Sequence, residues 1–260
     1  MEIVKRMRRL RRTSAIRNLF CETRVHIDDL IYPVFVDESL DSPVPVKLMP
    51  GVFRHTERSI IDEIGAAAKC GIKSVILFGV SNHKDAEGSD AWSEQGLVAR
   101  MVASVKQAFP NLNVLVDLCF CEYTDHGHCG VLDRTGQVDN DATLINLGKQ
   151  AVAAALSGAD IIAPSGMLDG MVVAIRDALD KASFTHIPVM SYSSKFASGL
   201  YGSFREASGV TLRGDRKGYQ ADPANGRAAL LESILDESEG ADALMVKPAM
   251  LYLDILARLR

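Results

Sequence analysis

Three of the five cysteines in the 260-residue chain lie close together in the stretch "DLCFCEYTDHGHC" at positions 117–129. They are Cys119, Cys121 and Cys129. Side chains two residues apart on a β-strand point to the same side, so Asp117, Cys119 and Cys121 would share one face if the strand extends that far. Three thiolates around one ion form a soft site suited to zinc, and three protein ligands leave a fourth position open, as in catalytic sites. The spacing favours such a metal site, with buried or incidental thiols as the alternative.

Two histidines, His126 and His128, precede Cys129 in the same stretch. They could be metal ligands, but we interpret them as surface residues of the loop. A disulfide is disfavoured, because the number of cysteines is odd and the N-terminus lacks the apolar region of a secretory signal. We therefore expect a cytoplasmic protein whose thiols stay reduced.

Two lysines directly follow runs that resemble strands: Lys195 comes after "MSYSS" and Lys247 after "ALMV". Burying a charged lysine at such a position is costly. A desolvated lysine beside another cation has a lowered pKa and can attack a carbonyl as the free amine. We expect each lysine to depress the pKa of the other, which favours Schiff-base chemistry. An ordinary ion pair at the rim of the sheet is the alternative.

The connection at about 195–222 is rich in Gly, Ser and Arg. Long connections without regular structure are often lids or binding loops, and the planar guanidinium of arginine suits bidentate binding of a carboxylate. Any single arginine here could instead be solvated. The polar candidates are Arg205, Arg213, Arg216, Lys217 and Gln220. Three aromatic residues could wall a pocket or simply pack: Tyr192, Tyr201 and Phe204.

Six apolar runs alternate with helical patterns along the chain. The runs lie at 30–36, 74–80, 113–120, 159–165, 187–193 and 241–249. The helical patterns between them lie near 57–70, 91–108, 142–157, 168–182 and 223–238. Continuous apolar runs suit strands that are buried on both faces. The alternation predicts an α/β fold with a parallel sheet and right-handed crossovers.

An open doubly wound sheet and a (β/α)8 TIM barrel both fit this alternation. No Gly-rich phosphate fingerprint follows any of the runs, which weakens a dinucleotide-binding open sheet. Polar residues at the ends of the runs favour the barrel, because barrel active sites lie at the carboxyl ends of the strands. These residues are Asp117, Ser165, Lys195 and Lys247.

Charge and hydropathy exclude several other classes of protein. The formal net charge of −4 gives no reason to expect a nucleic-acid partner. No apolar run reaches the length of about 18 residues that would predict a membrane span. The basic segment "VKRMRRLRR" near the N-terminus is interpreted as a solvated or subunit-contacting arm.

Several motifs, in order along the chain, resemble those of the porphobilinogen synthase (delta-aminolevulinic acid dehydratase) family. They include "FGVSNHKDAEGSDAW", "DLCFCEYTDHGHCGVL", "MSYSSKFASGLYGSFREA", "GDRKGYQ" and "ADALMVKPAMLYLDI". The resemblance extends from about residue 5 to the last residue. It implies a (β/α)8 barrel with an N-terminal arm, assembled as a homo-octamer. It also implies the condensation of two molecules of 5-aminolevulinate into porphobilinogen, with loss of two waters, on the route to haem.

The resemblance assigns roles to the candidate residues. Lys247 would form the Schiff base with the first substrate, and Lys195 would bind the second. The carboxylate of the second substrate would be held by residues of the lid: Arg205, Arg216 and Gln220. Proton transfers would be assisted by Asp117 and Ser165. We add the pocket aromatics Tyr192, Tyr201 and Phe204 to the substrate-binding set.

The resemblance also implies two metal ions. A catalytic Zn²⁺ would be bound by the three cysteines, Cys119, Cys121 and Cys129. Glu232 in "LLESILDE" matches a position that carries an allosteric Mg²⁺ in some members. From the sequence alone, Glu232 would be only an exposed helix residue.

The chain matches about six of the eight βα units of the family. We assign residues 1–25 to the N-terminal arm, 26–260 to the barrel domain and about 196–222 to the active-site lid. The family's last two strands carry a serine and a tyrosine that bind the first substrate's carboxylate, so we expect this chain on its own to be poorly active or inactive. Two alternatives stay open: a truncated homologue that folds without turnover, and a class I aldolase-like Schiff-base lyase with a structural metal.

Overall fold

The computed structural model describes residues 4–260, in which parallel strands alternate with α-helices. The strands are β1 (Ile31–Asp37), β2 (Val44–Pro45), β3 (Phe53–His55), β4 (Ser74–Val80), β5 (Asn113–Leu118), β6 (Ile161–Pro164), β7 (Met190–Lys195) and β8 (Ala243–Lys247). The α-helices are α1 (Ser14–Leu19), α2 (Ser59–Lys69), α3 (Leu97–Ala108), α4 (Asn140–Leu156), α5 (Met171–Lys181), α6 (Tyr201–Ala207), α7 (Gly226–Ser238) and α8 (Leu253–Leu259). Short 3₁₀ helices cover Met7–Arg11, Ile27–Asp29, Ser89–Trp92 and Ala249–Leu251.

The six long strands follow one another in the sheet in chain order. β1, β4, β5 and β6 pair in parallel, and β7 pairs in parallel with β8. A parallel bridge between Ile162 and Val189 joins the two groups. This is the arrangement of a TIM-barrel-type fold, and each of the six predicted runs overlaps one of these strands, although β1 and β7 extend one and two residues beyond their runs. Within residues 4–260 the sheet does not close, because β8 lies at one end and the unpredicted short strands β2 and β3 lie at the other.

Alternate residues of the strands pack into two separate apolar layers. Val36, Leu77 and Val116 point outward and pack against the helices. Phe35 and Leu115 point inward, into a layer that also contains Tyr192 and Phe204. Burial on both sides explains why the strands read as continuous apolar runs. Asp117, two residues after Leu115, shares the inward side.

Strand β7 contains one irregularity beside β8. Ser191 pairs with Leu244, whereas Ser194 pairs with Val246, so β7 has one more residue than β8 between these pairs. The hydroxyl of Ser191 bonds Asp236 on α7 at 2.7 Å, and the hydroxyl of Ser194 donates to the carbonyl of Ala229 on α7 at 2.9 Å. Both serines therefore face outward, although they are three residues apart.

The sequence suggested that the connection after β7 has no regular structure. It instead contains helix α6 (Tyr201–Ala207). Tyr201, Phe204 and Ala207 recur at a spacing of three residues, so they lie on one face of the helix. Phe204 and Ala207 pack into the inner apolar layer. The predicted helix at 91–108 is likewise divided, into the 3₁₀ helix Ser89–Trp92 and α3.

The N-terminal segment is exposed over its described part. Neither the 3₁₀ helix Met7–Arg11 nor α1 contains a buried residue. The assignment of residues 1–25 to an oligomer-contacting arm stays a prediction, and residues 1–3 lie outside the described part of the chain. In residues 4–260 no helix combines the length and the apolar character needed to cross a membrane.

Candidate active site

The two candidate lysines are neighbours at the carboxyl ends of adjacent strands. Lys195 on β7 and Lys247 on β8 are partners in the parallel register. Side chains of paired residues point to the same side of a sheet, and the inner layer includes Tyr192 and Met245 from these strands. Both amines therefore enter the inside of the barrel.

The amine of Lys247 lies in a cage of aromatic rings. Its Nζ is 4.2 Å from the centre of the Phe204 ring and 4.9 Å from that of Tyr192. The rings of Tyr201 and Phe78 lie at 5.8 Å. Burial, and then the nearby cation of Lys195, lower the pKa of Lys247 to about 8. Near neutral pH a much larger fraction of this amine than of an ordinary lysine is therefore uncharged and nucleophilic.

The pKa of Lys195 does not follow the expectation that each lysine lowers the pKa of the other. Its side chain is buried, and Nζ donates a hydrogen bond to the carbonyl oxygen of Ser165 at 2.6 Å. Burial lowers the pKa of Lys195, but the negative charges of Cys129, Cys119 and Asp117 outweigh it and raise the pKa above its usual value. The expectation holds for Lys247 and is wrong for Lys195, because the thiolates and the carboxylate face Lys195.

Asp117 lies near the carboxyl end of β5, close enough to both lysines and to Cys129 for their charges to act on it. It is buried, and its Oδ1 has no hydrogen-bond partner within residues 4–260. Burial raises the pKa of Asp117, while the two lysines and a hydrogen bond with Ser165 oppose that shift. A carboxyl group with a raised pKa and a free oxygen can accept or return a proton.

The three cysteines converge, although not by the route that strand alternation suggested. β5 ends at Leu118, so Cys119 and Cys121 lie in the turn that follows it. That turn is closed by hydrogen bonds from the amides of Tyr123 and Thr124 to the carbonyl of Phe120. Cys119, Cys121 and Cys129 are all buried, and their sulfur atoms lie within 4.8 Å of one another.

The geometry and charge of this cluster suit a metal ion. Three sulfurs at about 2.3 Å from one ion in a tetrahedral site lie about 3.8 Å apart. The spacing here is compatible with that value, since the Cys119 and Cys121 sulfurs are 3.3 Å apart and no pair is more than 4.8 Å apart. Hydrogen bonds from Cys119 and Cys121 lower the pKa of Cys129, as do Arg216 and Lys195. The cluster could therefore hold a metal.

Glu122 was missed by the sequence analysis. Its side chain is buried, and its Oε2 accepts a hydrogen bond from the Cys121 thiol at 2.9 Å. Burial, followed by the charge of Asp117, raises the pKa of Glu122 to about 7. Its position directly after Cys121 was the one available signal, since an acid inside an apolar stretch needs a local partner.

The lid residues line a cavity of about 600 Å³ beside the lysines. Its walls include Tyr201, Phe204, Arg205, Arg216 and Gln220. Gln220 is buried, Arg205 is exposed, and the Nε of Arg216 is buried without a hydrogen-bond partner within the described residues. The structure thus brings Arg205, Arg216 and Gln220 to one cavity, where Arg216 has a free donor for an anion, whereas Arg213 lines a separate, smaller cavity.

The loop that carries the three cysteines (residues 119–129, the cysteine loop) is in direct contact with the lid at Gly127. Arg216 Nη2 donates to the carbonyl of Gly127 at 3.0 Å, and the amide of Arg213 donates to the carbonyl of His126 at 3.2 Å. The sequence analysis interpreted His126 and His128 as surface residues, and this interpretation is wrong. Both are buried: the ring of His128 bonds lid residues, and Nε2 of His126 lies 3.1 Å from the carbonyl oxygen of Ala86. The lid residues that make these contacts are more than 80 positions away in the sequence, so no local sequence pattern predicts the burial of the two histidines.

Replacing Gly127 by alanine should destabilise the protein by about 2–4 kcal/mol. Gly127 has a positive φ of 76°, and a Cβ there would stand 2.4 Å from the backbone oxygen of Thr211. Positive φ costs a non-glycine residue about 1–2 kcal/mol, and the backbone clash adds strain. Gly136→Ala is the matched control, because Gly136 has a φ of 83° and open space around it. Urea unfolding measures both variants, and equal losses of stability would contradict the close approach of loop and lid.

Glu232 lies apart from the lysines, in a second cavity of about 360 Å³. Asn140, Asp169 and Gln220 line the same cavity. Burial raises the pKa of Glu232, as do the nearby acids Asp169, Asp236 and Glu239. Glu232 is half-buried rather than fully exposed on α7. Among residues 4–260 the three cysteines are the one cluster of at least three potential ligands close enough to hold a metal.

Fold and site together define a TIM-barrel-type α/β protein with paired strand-end lysines and a buried thiol cluster able to hold a metal. Residues 4–260 match the family model described as delta-aminolevulinic acid dehydratase. The chain belongs to the delta-aminolevulinic acid dehydratase family, which is a family of enzymes.

Relatives of this family cover nearly the whole chain. Delta-aminolevulinic acid dehydratase of Escherichia coli (strain K12) is 57% identical over 259 residues, which are 100% of this chain and 80% of that protein. The enzyme of Helicobacter pylori (strain J99) is 50% identical over 98% of this chain and 80% of its own length. A solved structure of the enzyme from Toxoplasma gondii ME49, in complex with the reaction product porphobilinogen, superposes with a TM-score of 0.96. It is 41% identical and is matched over 99% of this chain and 74% of its own. This likeness confirms the predicted TIM-barrel-type fold.

Proposed function

We propose that this chain is a porphobilinogen synthase, which condenses two molecules of 5-aminolevulinate into porphobilinogen with loss of two waters, in tetrapyrrole biosynthesis. The observation that carries the proposal is the pairing of Lys247 and Lys195 in register on adjacent strands. One amine is partly neutral and the other stays charged. Family membership and the product named for the Toxoplasma gondii relative support the same reaction.

Lys247 captures the first substrate in this proposal. Its neutral amine attacks the ketone of 5-aminolevulinate, a C=N bond forms, and the ketone oxygen leaves as one of the two waters. The four aromatic rings around Nζ keep bulk water away and favour the uncharged amine. Asp117 and Ser165, on the side of Lys195, assist the accompanying proton transfers.

The second substrate binds between Lys195 and the lid. Lys195 stays protonated and supplies a fixed positive charge, because the thiolate and the carboxylate around it stabilise its cation. Arg205, Arg216 and Gln220 hold the substrate's carboxylate in the lid cavity. Holding both substrates in one site removes much of the entropic cost of a bimolecular condensation.

Zinc is the metal that the cysteine cluster fits best. Three sulfur ligands suit Zn²⁺, and its fourth position stays open for chemistry. When bound, Zn²⁺ supplies Lewis-acid polarisation of a carbonyl or activation of a water. Cys119, Cys121 and Cys129 would hold it, and Glu122, which accepts the hydrogen bond of the Cys121 thiol, would be placed to take the proton that this thiol gives up on metal binding. An allosteric Mg²⁺ at Glu232, the homo-octamer and the cytoplasmic location stay predictions.

Adduct formation on Lys247 should depend on pH with a midpoint near 8. Below that pH the amine is protonated and cannot attack, so the rate should fall as the pH is lowered. At pH 7 we expect about a tenfold slower rate than on the alkaline plateau. Borohydride trapping with 5-aminolevulinate, followed by peptide mass spectrometry, measures the rate at each pH. A midpoint near 10, the value of an exposed lysine, would contradict the effect of burial.

Product formation in single-turnover amounts tests the proposed function. Purified chain loaded with zinc is mixed with 5-aminolevulinate at twice the enzyme concentration, and porphobilinogen is quantified by mass spectrometry. The proposal expects porphobilinogen to appear and to be lost after zinc chelation. Absence of porphobilinogen together with absence of a trapped adduct would overturn it.

A further inference from the structure

The buried ring of His128 joins the cysteine loop to the lid. Its Nε2 lies 2.7 Å from the carbonyl oxygen of Arg213, and its Nδ1 lies 3.3 Å from the hydroxyl of Tyr219. A carbonyl can only accept, so Nε2 carries a proton and donates to Arg213, while Nδ1 is paired with the Tyr219 hydroxyl, which can donate or accept. The two bonds use both ring nitrogens.

We propose that His128 is a positioning residue that fixes Arg216 over the active site by holding the lid on both sides of it. Arg213 precedes Arg216 by three residues and Tyr219 follows it by three. One ring is therefore bonded to both ends of the stretch that carries Arg216. This inference deepens the proposed function, because Arg216 is the residue proposed to bind the second substrate's carboxylate.

Other contacts show that this stretch lies on the cysteine loop in one orientation. Arg216 Nη2 donates to the carbonyl of Gly127 at 3.0 Å, and the amide of Arg213 donates to the carbonyl of His126 at 3.2 Å. These bonds use loop carbonyls, which any residue type would supply. His128 contributes the side-chain bonds, and the residue is only 8% exposed. Histidine at this position is thus explained by the lid and not by metal binding.

Loss of the His128 bonds should affect the second substrate and not the first. Loosening the stretch 213–219 displaces Arg216, which weakens binding of the second substrate. Lys247 lies on β8 in its own cage of aromatic rings, so capture of the first substrate should stay as it is. A structural role in holding the fold together would instead lower all activities and stability together.

Limited trypsin digestion of the zinc-loaded chain tests the lid directly. Arg213 and Lys217 are exposed trypsin sites within the stretch. In His128→Leu, which loses both ring bonds, cleavage there should be about tenfold faster than in the unmodified chain. His128→Gln can keep the donor to Arg213, and Tyr219→Phe loses only the Nδ1 bond, so each should show about a threefold increase. In the double variant, Tyr219→Phe should add nothing to His128→Leu.

Kinetics and metal content separate positioning from other roles. His128→Leu should raise KM for 5-aminolevulinate about tenfold, leave trapping on Lys247 within about twofold, and leave zinc stoichiometry unchanged. His186→Leu is the control, because His186 is exposed and lies outside the site.

Unchanged trypsin cleavage in folded His128→Leu overturns the inference. If that variant does not fold, unchanged cleavage in Tyr219→Phe overturns it instead. If the unmodified chain makes no porphobilinogen, the proposed function fails, while the digestion still decides the role of His128.

Discussion

Replacing Lys247 by alanine should abolish Schiff-base formation with 5-aminolevulinate and lower turnover by at least about a thousandfold. The side chain is the proposed nucleophile, and losing a covalent nucleophile leaves only binding and orientation to speed the reaction. Its Nζ has no hydrogen-bond partner among the described residues, so the variant leaves no buried polar group unpaired. Stability should therefore change little. Borohydride trapping and the porphobilinogen assay measure the two effects.

Lys195→Ala is the matched control for this experiment. It removes the neighbouring amine of the register pair but leaves the nucleophile in place, so trapping on Lys247 should persist while turnover falls. It should also raise the pH midpoint of trapping, because the cation of Lys195 helps to lower the pKa of Lys247. An adduct that forms at the normal rate in Lys247→Ala would show that another lysine is the nucleophile.

Cys129→Ser should lower the zinc affinity of the chain by at least about a hundredfold and lower turnover with it. The residue is fully buried in the thiol cluster, and its pKa is lowered by hydrogen bonds from the other two cysteines and by the cations of Arg216 and Lys195. It is thus the cysteine whose thiolate forms most readily. Serine keeps nearly the same shape but is a much poorer ligand for a soft site. Competition with a zinc-sensitive chelator measures the affinity.

The two remaining cysteines provide controls for metal binding. Cys21 and Cys70 are free and exposed, so Cys21→Ser and Cys70→Ser should leave zinc stoichiometry unchanged. Cys119→Ser and Cys121→Ser should each weaken zinc binding in the same direction as Cys129→Ser. Unchanged stoichiometry in all three cluster variants would rule out the cysteine cluster as the zinc site.

The sequence was sufficient to find the strands and the residues at their ends. Apolar runs are long and continuous here because the strands are buried on both faces, as at Val36 outside and Phe35 inside. Chemistry-bearing residues such as Lys247 stand out directly after such runs. The short strands β2 and β3 were missed because two or three residues are too few to carry a pattern.

The details of the site depended on contacts that are distant in the sequence. The cysteines meet through a turn after Leu118 rather than on an extended strand, so their clustering was predicted from a wrong local geometry. The buried state of His128 depends on Tyr219, 91 positions later. The charge of Lys195 depends on how close the thiolates lie, which residue spacing does not give.

The surplus residue in β7 decides how this chain tolerates deletions. Tyr192 and Lys195 both enter the barrel although they are an odd number of positions apart, because Ser191 and Ser194 both face helix α7. An evenly alternating strand of the same length would turn one of these two side chains toward that helix. Deleting Ser193 would remove the surplus residue and leave Ser191 and Ser194 toward α7 and Tyr192 and Lys195 inside, so β7 should tolerate that deletion. β8 has no surplus residue, so deleting Met245 would turn Lys247 away from the inside and break up the amine pair.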